Sequence, residues 1–245
     1  MTLRKMDLHI HTPRSTCYRH MSATVEQIVD AAIAAGLDAI AVTDHNAVDG
    51  AEHVRQVAAN RGLDVFPGVE ISAREGHVLA LFDTDAPLGR LVDFLDHIGI
   101  DRQSHGDGSA LARDGMVGVF RKTVEFGGIA IAAHIERSPT GFLEARESHE
   151  VKAAIHASAD LSALEITMPQ NKRQWNEGLV SGYRRQIACL QSSDAHSPAE
   201  VCRRPVYIDM PQMTLAALRA AFLDFSTRIR FPDELDVSVR EEDAP

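Results

Sequence analysis

The chain has 245 residues, 44% of them apolar and 24% charged, with a net charge of −10 at neutral pH. That length suits a single α/β barrel and that balance an ordinary globular protein, which excludes a fibrous, low-complexity or disulfide-stapled chain. The acidic excess argues against a long nucleic-acid partner held on a basic face, and no apolar run reaches the ~20 residues that cross a bilayer.

In chain order, the first apolar run leads into Asp7-Leu8-His9-Ile10-His11-Thr12, and residues two apart on a strand face the same side. Two imidazoles aimed at one point are half of a zinc, iron or manganese site; the alternative is a half-buried strand with two partly solvated histidines. Helical spacing over 25–35, with Ser22 or Thr24 as N-cap and Gly36 as the stop, predicts a crossover helix. A second strand, 39–43, ends in Asp44-His45, a second helix covers 51–60, and a third strand, 65–69, ends in Glu70. Such alternation predicts parallel strands with helices outside.

The connection from Glu70 to His77 is too short for a parallel crossover. The strand over 77–82 should therefore run antiparallel to its predecessor, which brings His77 beside Glu70. Helices are predicted over 88–98 and over 109–126, the second interrupted by Gly115 and Gly118, with a polar loop at 101–108 between them. His97 and His105, in this stretch, carry no ligand pattern.

Further on, the strand 129–133 ends in His134, with Arg137 three residues later. After a helical stretch at 151–157, strands are predicted at 163–167 and 187–192, the latter leading into Ser193-Asp194-Ala195-His196. A peripheral strand at 206–209 and an amphipathic helix at 215–225 complete one domain over 1–235, and 236–245 reads as a frayed, charged tail. Cys17, Cys189 and Cys202 show no close pairing and the N-terminus has no apolar signal core, so a cytoplasmic location is expected. Metal-ligand residues at so many strand ends point to one site, because the carboxyl ends of parallel strands meet on one face.

The ordered set Asp-x-His-x-His-Thr, Thr-Asp-His-Asn, Gly-Val-Glu-Ile-Ser, Gly-His-Val-Leu-Ala-Leu, Ala-Ala-His and Ser-Ser-Asp-Ala-His, from Asp7 to His196, resembles the PHP (polymerase and histidinol phosphatase) superfamily of metal-dependent phosphoesterases. The resemblance implies a distorted seven-stranded (β/α) barrel with one antiparallel strand, holding two or three divalent ions of zinc, iron or manganese. It assigns His9, His11 and Asp194 to one metal, Glu70 as the bridge, His77 and His134 to a second, and His45 and His196 to a third.

The third site departs from the commoner pattern. Where many relatives have an aspartate in a Ser-Asp-Gly context, this chain reads Ser15-Thr16-Cys17-Tyr18-Arg19-His20. Cys17 or His20 could supply the ligand, and His20 is the better match to a hydrolytic site. Asp7 and Asp44 are expected either to orient neighbouring imidazoles or to cap strand ends. Arg137 matches a phosphate-holding arginine, and Arg203 and Arg204 could add to it or form surface ion pairs.

The implied chemistry is hydrolysis of a small phosphomonoester or nucleotide-like substrate by a metal-bridging hydroxide attacking phosphorus in line. Glu70 would hold the metal pair, Arg137 and Arg204 the phosphate, and His196 could protonate the leaving group if the third site is empty. The alternatives are a nuclease acting on DNA or RNA ends, disfavoured by the acidic balance and the single-domain length, and a non-catalytic metal-binding regulatory domain. A related amidohydrolase would want a bridging lysine, and Lys5, Lys122, Lys152 and Lys172 end no core strand.

Overall fold

Strand and helix alternate from the first apolar run. In the computed structural model, which describes residues 2–235, β1 (Leu3–Ile10), α1 (Val25–Ala34), β2 (Ala39–Val42), α2 (Asp49–Ala58) and β3 (Asp64–Ala73) form the expected repeat. The tail predicted over 236–245 lies outside the described residues. β2 is parallel to both neighbours, with Met6 opposite Ala39 and Ile40 opposite Val65. Thr24 caps α1 in a reciprocal box with Gln27. Alternate β2 side chains serve two cores: Ile40 and Val42 pack with Ile28 and Val54 of the covering helices, Ala39 and Ala41 with Met6 and Phe66. Burying Ile40 fully contributes about 1.5–3 kcal/mol.

β4 (Gly76–Leu81) follows β3 after two residues and pairs with it antiparallel, Ser72 opposite His77. The remaining elements are α3 (Leu88–Ile98), α4 (Met116–Glu125), β5 (Ile129–Ala132), α5 (His149–Ala157), β6 (Leu161–Glu165), α6 (Lys172–Asn176), β7 (Ala188–Leu190), β8 (Val206–Asp209), α7 (Leu215–Leu223), α8 (Phe225–Arg228) and β9 (Ile229–Arg230). No described helix is long and apolar enough to cross a membrane.

The helix predicted over 109–126 begins only at Met116, whose N–H donates to Glu75 at 2.9 Å, and Gly118 sits inside it without breaking it. The residues before it are held as loop instead. Asn46 Nδ2 donates to the carbonyls of Asp107 and Ala110 at 2.8 Å, and Ser72 Oγ donates to that of Gly108 at 2.7 Å. These bonds draw the loop over the ends of β2 and β3.

The sheet runs β7-β6-β5-β4-β3-β2-β1-β8-β9, so it has nine strands among the described residues rather than seven. Its β7 margin curls back to β1. Ala195, beyond β7, bridges Ile10 of β1 in parallel, and His11 N–H donates to the Ala195 carbonyl at 3.0 Å. β1 to β7 therefore form the nearly closed barrel, and β8 and β9 are added beyond β1. Two strands, not one, oppose the common direction: β4 and β8. β9 has two residues, too few to show a periodicity in the sequence.

Candidate metal centre

Barrel near-closure gathers the strand ends. His9 on β1, His11 just past it, His45 beyond β2, Glu70 in β3, His134 beyond β5, Glu165 closing β6 and Asp194 beyond β7 are all buried. His77, on β4, joins them because that strand enters from the opposite direction, and His196 stands at the edge, partly exposed.

Four donor atoms make the tightest group. His9 Nε2 lies 3.2 Å from His11 Nε2, from Glu70 Oε2 and from Asp194 Oδ1, while His11 Nε2 lies 3.2 Å from Glu70 Oε2 and 3.1 Å from Asp194 Oδ1. A regular tetrahedron with such edges has its centre about 2 Å from each corner, the distance zinc keeps from nitrogen and oxygen ligands. Glu70 turns its other oxygen the opposite way: Oε1 is 2.7 Å from His77 Nδ1 and 2.9 Å from His134 Nε2. One carboxylate thus joins two donor clusters. His11, His45 and His196 form a third group that could hold an ion, and His9 and His134 a further one with Glu165.

The outer hydrogen bonds fix which nitrogen of each imidazole carries its proton. His9 Nδ1 faces both oxygens of Glu165, at 3.0 and 3.2 Å, so Nδ1–H donates outward and the Nε2 lone pair points inward. Ser15 gives its single hydroxyl proton to Asp44 at 2.7 Å, which leaves its oxygen to accept from His11 Nδ1–H at 3.1 Å. By the same logic Ser72, donating to Gly108, accepts from His77 Nε2–H at 3.4 Å. The inner nitrogens of all three rings are then lone pairs facing carboxylate oxygens, an arrangement that repels unless a proton or a cation lies between them. His45 Nδ1 and Glu70 Oε2, 3.2 Å apart, are both buried without a hydrogen bond among the described residues. The donor set fits divalent ions.

Without metal, protons take that place. Burial opposes charge on His9, yet Glu165, Asp194 and Glu70 hold it well above its ordinary value. His11, against the same burial, is raised to about 9 by Asp194 and Glu70. Burial would raise Glu70 and Asp194, but the surrounding imidazoles hold both carboxyls well below the usual range. His45 is lowered to about 4 by burial. The backbone is also strained here: His134 and Asp194 have φ of +28° and +50°, left-handed values that bulky residues avoid.

Glu165 is the site residue that sequence reasoning missed. It closes β6, and its carboxylate accepts from His9 Nδ1–H and from the His134 N–H, the latter at 2.8 Å. The signal available was its position, an acid ending a core strand. Asp44 reaches His11 only through Ser15, and it also accepts from the Thr12 N–H at 2.8 Å and the Thr12 hydroxyl at 2.7 Å. Asp7 makes no imidazole bond; it accepts from the Ser193 and Cys202 N–H groups, at 2.9 and 2.8 Å, and so holds the segment that carries Asp194.

Arg137 reaches the site and pairs with Asp194 Oδ2, leaving Oδ1 to the histidines. Arg203 donates to the Ser193 carbonyl at 2.9 Å, and Arg204 has its Nε buried without a hydrogen-bond partner among the described residues. His20 and Cys17 are both exposed and join none of the ligand groups among the described residues, although Cys17 Sγ lies 3.1 Å from His196 Nε2.

A protein-family model described as the PHP domain matches residues 7–190. An uncharacterized protein of Methanocaldococcus jannaschii is 33% identical over 93 residues, 35% of this chain and 54% of that protein. Among solved structures, the lesion-specific endonuclease Q of Pyrococcus furiosus superposes with a TM-score of 0.73 at 18% identity, over 94% of this chain and 58% of its own. Endonuclease Q in complex with a 27-mer duplex bearing an abasic lesion at the active site gives 0.71 at 16% identity, over 93% and 58%. These structural likenesses show the fold, and the chain spans little more than half the length of these relatives. With most of its length matched by the family model, the chain belongs to the PHP domain family.

Proposed function

We propose that this chain is a metal-dependent phosphoesterase that hydrolyses a small phosphomonoester or nucleotide-like substrate. The observation that carries the reading is Glu70, whose Oε2 meets His9 and His11 while its Oε1 meets His77 and His134. His9, His11 and Asp194 would hold one ion, His77 and His134 a second, with Glu70 shared, and His45 and His196 belong to a third position. Zinc, iron and manganese all suit imidazole and carboxylate donors. Such ions supply Lewis acidity, neutralising phosphate oxygens and acidifying water.

The chain's own groups do the rest. Glu165 and Ser15 fix the tautomers of His9 and His11, so that no ring rotation is needed when charge arrives. Arg137, anchored at one nitrogen by Asp194 and about one-third exposed, has donors left for a phosphate oxygen. Arg204, whose buried Nε has no hydrogen-bond partner among the described residues, would be a second phosphate donor. His196 Nδ1–H donates to the Asp194 carbonyl at 3.0 Å, so its Nε2 is the nitrogen that could exchange a proton or bind an ion.

A nuclease is the second reading, favoured by the fold shared with endonuclease Q, which was seen with a lesion-bearing duplex at its active site. The net charge of −10 weighs against a long polyanion. The deciding experiment offers metal-reconstituted protein a panel of phosphomonoesters, nucleotides, short oligonucleotides and a duplex with an abasic site. Phosphate released from the small esters supports the first reading, strand cleavage alone the second, and neither contradicts both.

A further inference from the structure

We infer that Gly108 is a positioning residue of the metal centre: its bare backbone seats the His45 imidazole, so the loop between α3 and α4 sets one ligand of the third cation position. The inference rests on the metal reading above and goes beyond it by giving that loop a part in the site. Among the described residues no side chain of the loop joins a ligand group, and the contact with His45 is made by backbone alone.

Its starting point is a close approach. A Cβ on residue 108 would stand 3.1 Å from Cγ and Cδ2 of His45 and 3.2 Å from its Cε1. Carbon atoms pack at about 3.5–4.0 Å, so a side chain there would push the ring away by a few tenths of an ångström. Metal–ligand distances hold to about 0.2 Å, and a shift of that size takes a ring nitrogen off its ion. The ring has little room to retreat. It is 8% exposed, and its centroid is 4.8 Å from that of His11 and 5.4 Å from that of His77. Nor does the backbone ask for glycine at this position: Gly106 has a left-handed φ of +91°, whereas Gly108 lies outside that region.

The loop is also held in place. Gly106 N–H donates to the His45 carbonyl at 2.9 Å, and the Gly106 carbonyl accepts from Thr16 N–H at 2.9 Å. Asn46, the residue after His45, holds the carbonyls of Asp107 and Ala110. The Gly108 carbonyl accepts from Ser72, whose hydroxyl oxygen accepts in turn from His77. Against a seat fixed from both flanks it is the ring, rather than the loop, that would yield to an added side chain.

Zinc binding to the full-length protein is the test, in wild type, Gly108→Ala, His45→Ala and the double variant. Chelator competition gives the number and affinity of the bound ions, and thermal melts without metal give stability. Gly108→Ala should weaken the zinc that His45→Ala removes by about tenfold or more, and leave the remaining zinc unchanged. A general loss of stability would instead lower the melting temperature and leave the zinc affinity of the folded protein as it was. In the His45→Ala background there is no ring to displace, so Gly108→Ala should have no further effect on zinc and a smaller effect on the melting temperature. If Gly108→Ala alone does not fold, recovery of folded protein in the double variant supports the contact, and failure to recover it overturns the inference. Wild-type zinc affinities in Gly108→Ala, or a zinc loss of the same size in both backgrounds, would overturn the positioning role and leave the two-metal reading standing. No zinc bound by wild type would overturn both.

Discussion

Glu165 Oε2 lies 3.0 Å from His9 Nδ1 and, in the same carboxylate, 2.8 Å from the backbone N–H of His134. A single acid at the end of β6 therefore orients a histidine from one donor cluster and the backbone of a histidine from the other. Glu165→Ala should weaken metal binding by roughly 10–100-fold, as removal of an orienting partner commonly does. It should also lower the melting temperature, since the His134 N–H is left buried and unpaired at a cost of about 1–3 kcal/mol. Chelator competition and thermal melts measure the two effects, and unchanged metal affinity would show that His9 needs no such support.

Glu70→Gln should abolish hydrolysis with the fold preserved. Its two oxygens face separate clusters, 2.7 Å from His77 on one side and 3.2 Å from His9 on the other, and an amide cannot present an anionic oxygen to both. Steady-state turnover with circular dichroism as the folding control decides this. Wild-type turnover in a folded variant would disprove the shared carboxylate.

Arg137→Ala should lose roughly 2–4 kcal/mol of transition-state stabilisation in kcat/KM, in line with other preorganised charge-stabilising contacts. Arg137→Lys should recover only part of it, because an ammonium lacks the planar fork. If the Asp194 ion pair is the residue's whole role, kcat/KM should stay within a factor of about two, as partly exposed pairs are worth little.

The protonated imidazoles set a pH dependence. In metal-free protein the His11 pKa is raised from 6.5 to about 9 by Asp194 and Glu70 against the opposing effect of burial, so the stability it contributes is full below 6.5 and lost as pH rises through about 9. Glu70 is shifted the other way, and its contribution is lost only as pH falls below the ordinary value of 4.5. Metal must displace the His11 proton, so its affinity rises over the window in which the metal-free protein weakens. The gap in melting temperature between metal-loaded and metal-free protein should therefore widen from pH 6.5 to pH 9. A constant or narrowing gap would contradict the convergence of lone pairs on one cation.

The legible parts of this molecule were those fixed by local periodicity and short connections. Alternation to Glu70, and the short connection from Glu70 to His77, were enough to place His77 beside Glu70. β9 was invisible because two residues cannot show a period, and its place depends on pairing with β8, itself fixed against β1. The loop before α4 was mistaken for helix because its conformation is set by Asn46 and Ser72, side chains distant in sequence. Glu165 was overlooked for a related reason. An acid at a strand end has no distinguishing neighbours, and only the folded barrel shows it beneath His9. For Asp7 two roles were open, partner of a histidine or cap of a strand end, and its carboxylate accepts from the backbone of Ser193 and Cys202, a contact between the two ends of the barrel.

The central claim is that two cations share Glu70, and anomalous diffraction from crystals of metal-loaded protein at the metal's absorption edge tests it most directly. The expected map has one peak among His9, His11 and Asp194 and a second beside His77 and His134, with Glu70 between them. A single peak away from Glu70, or none in protein shown by elemental analysis to carry metal, would contradict the account.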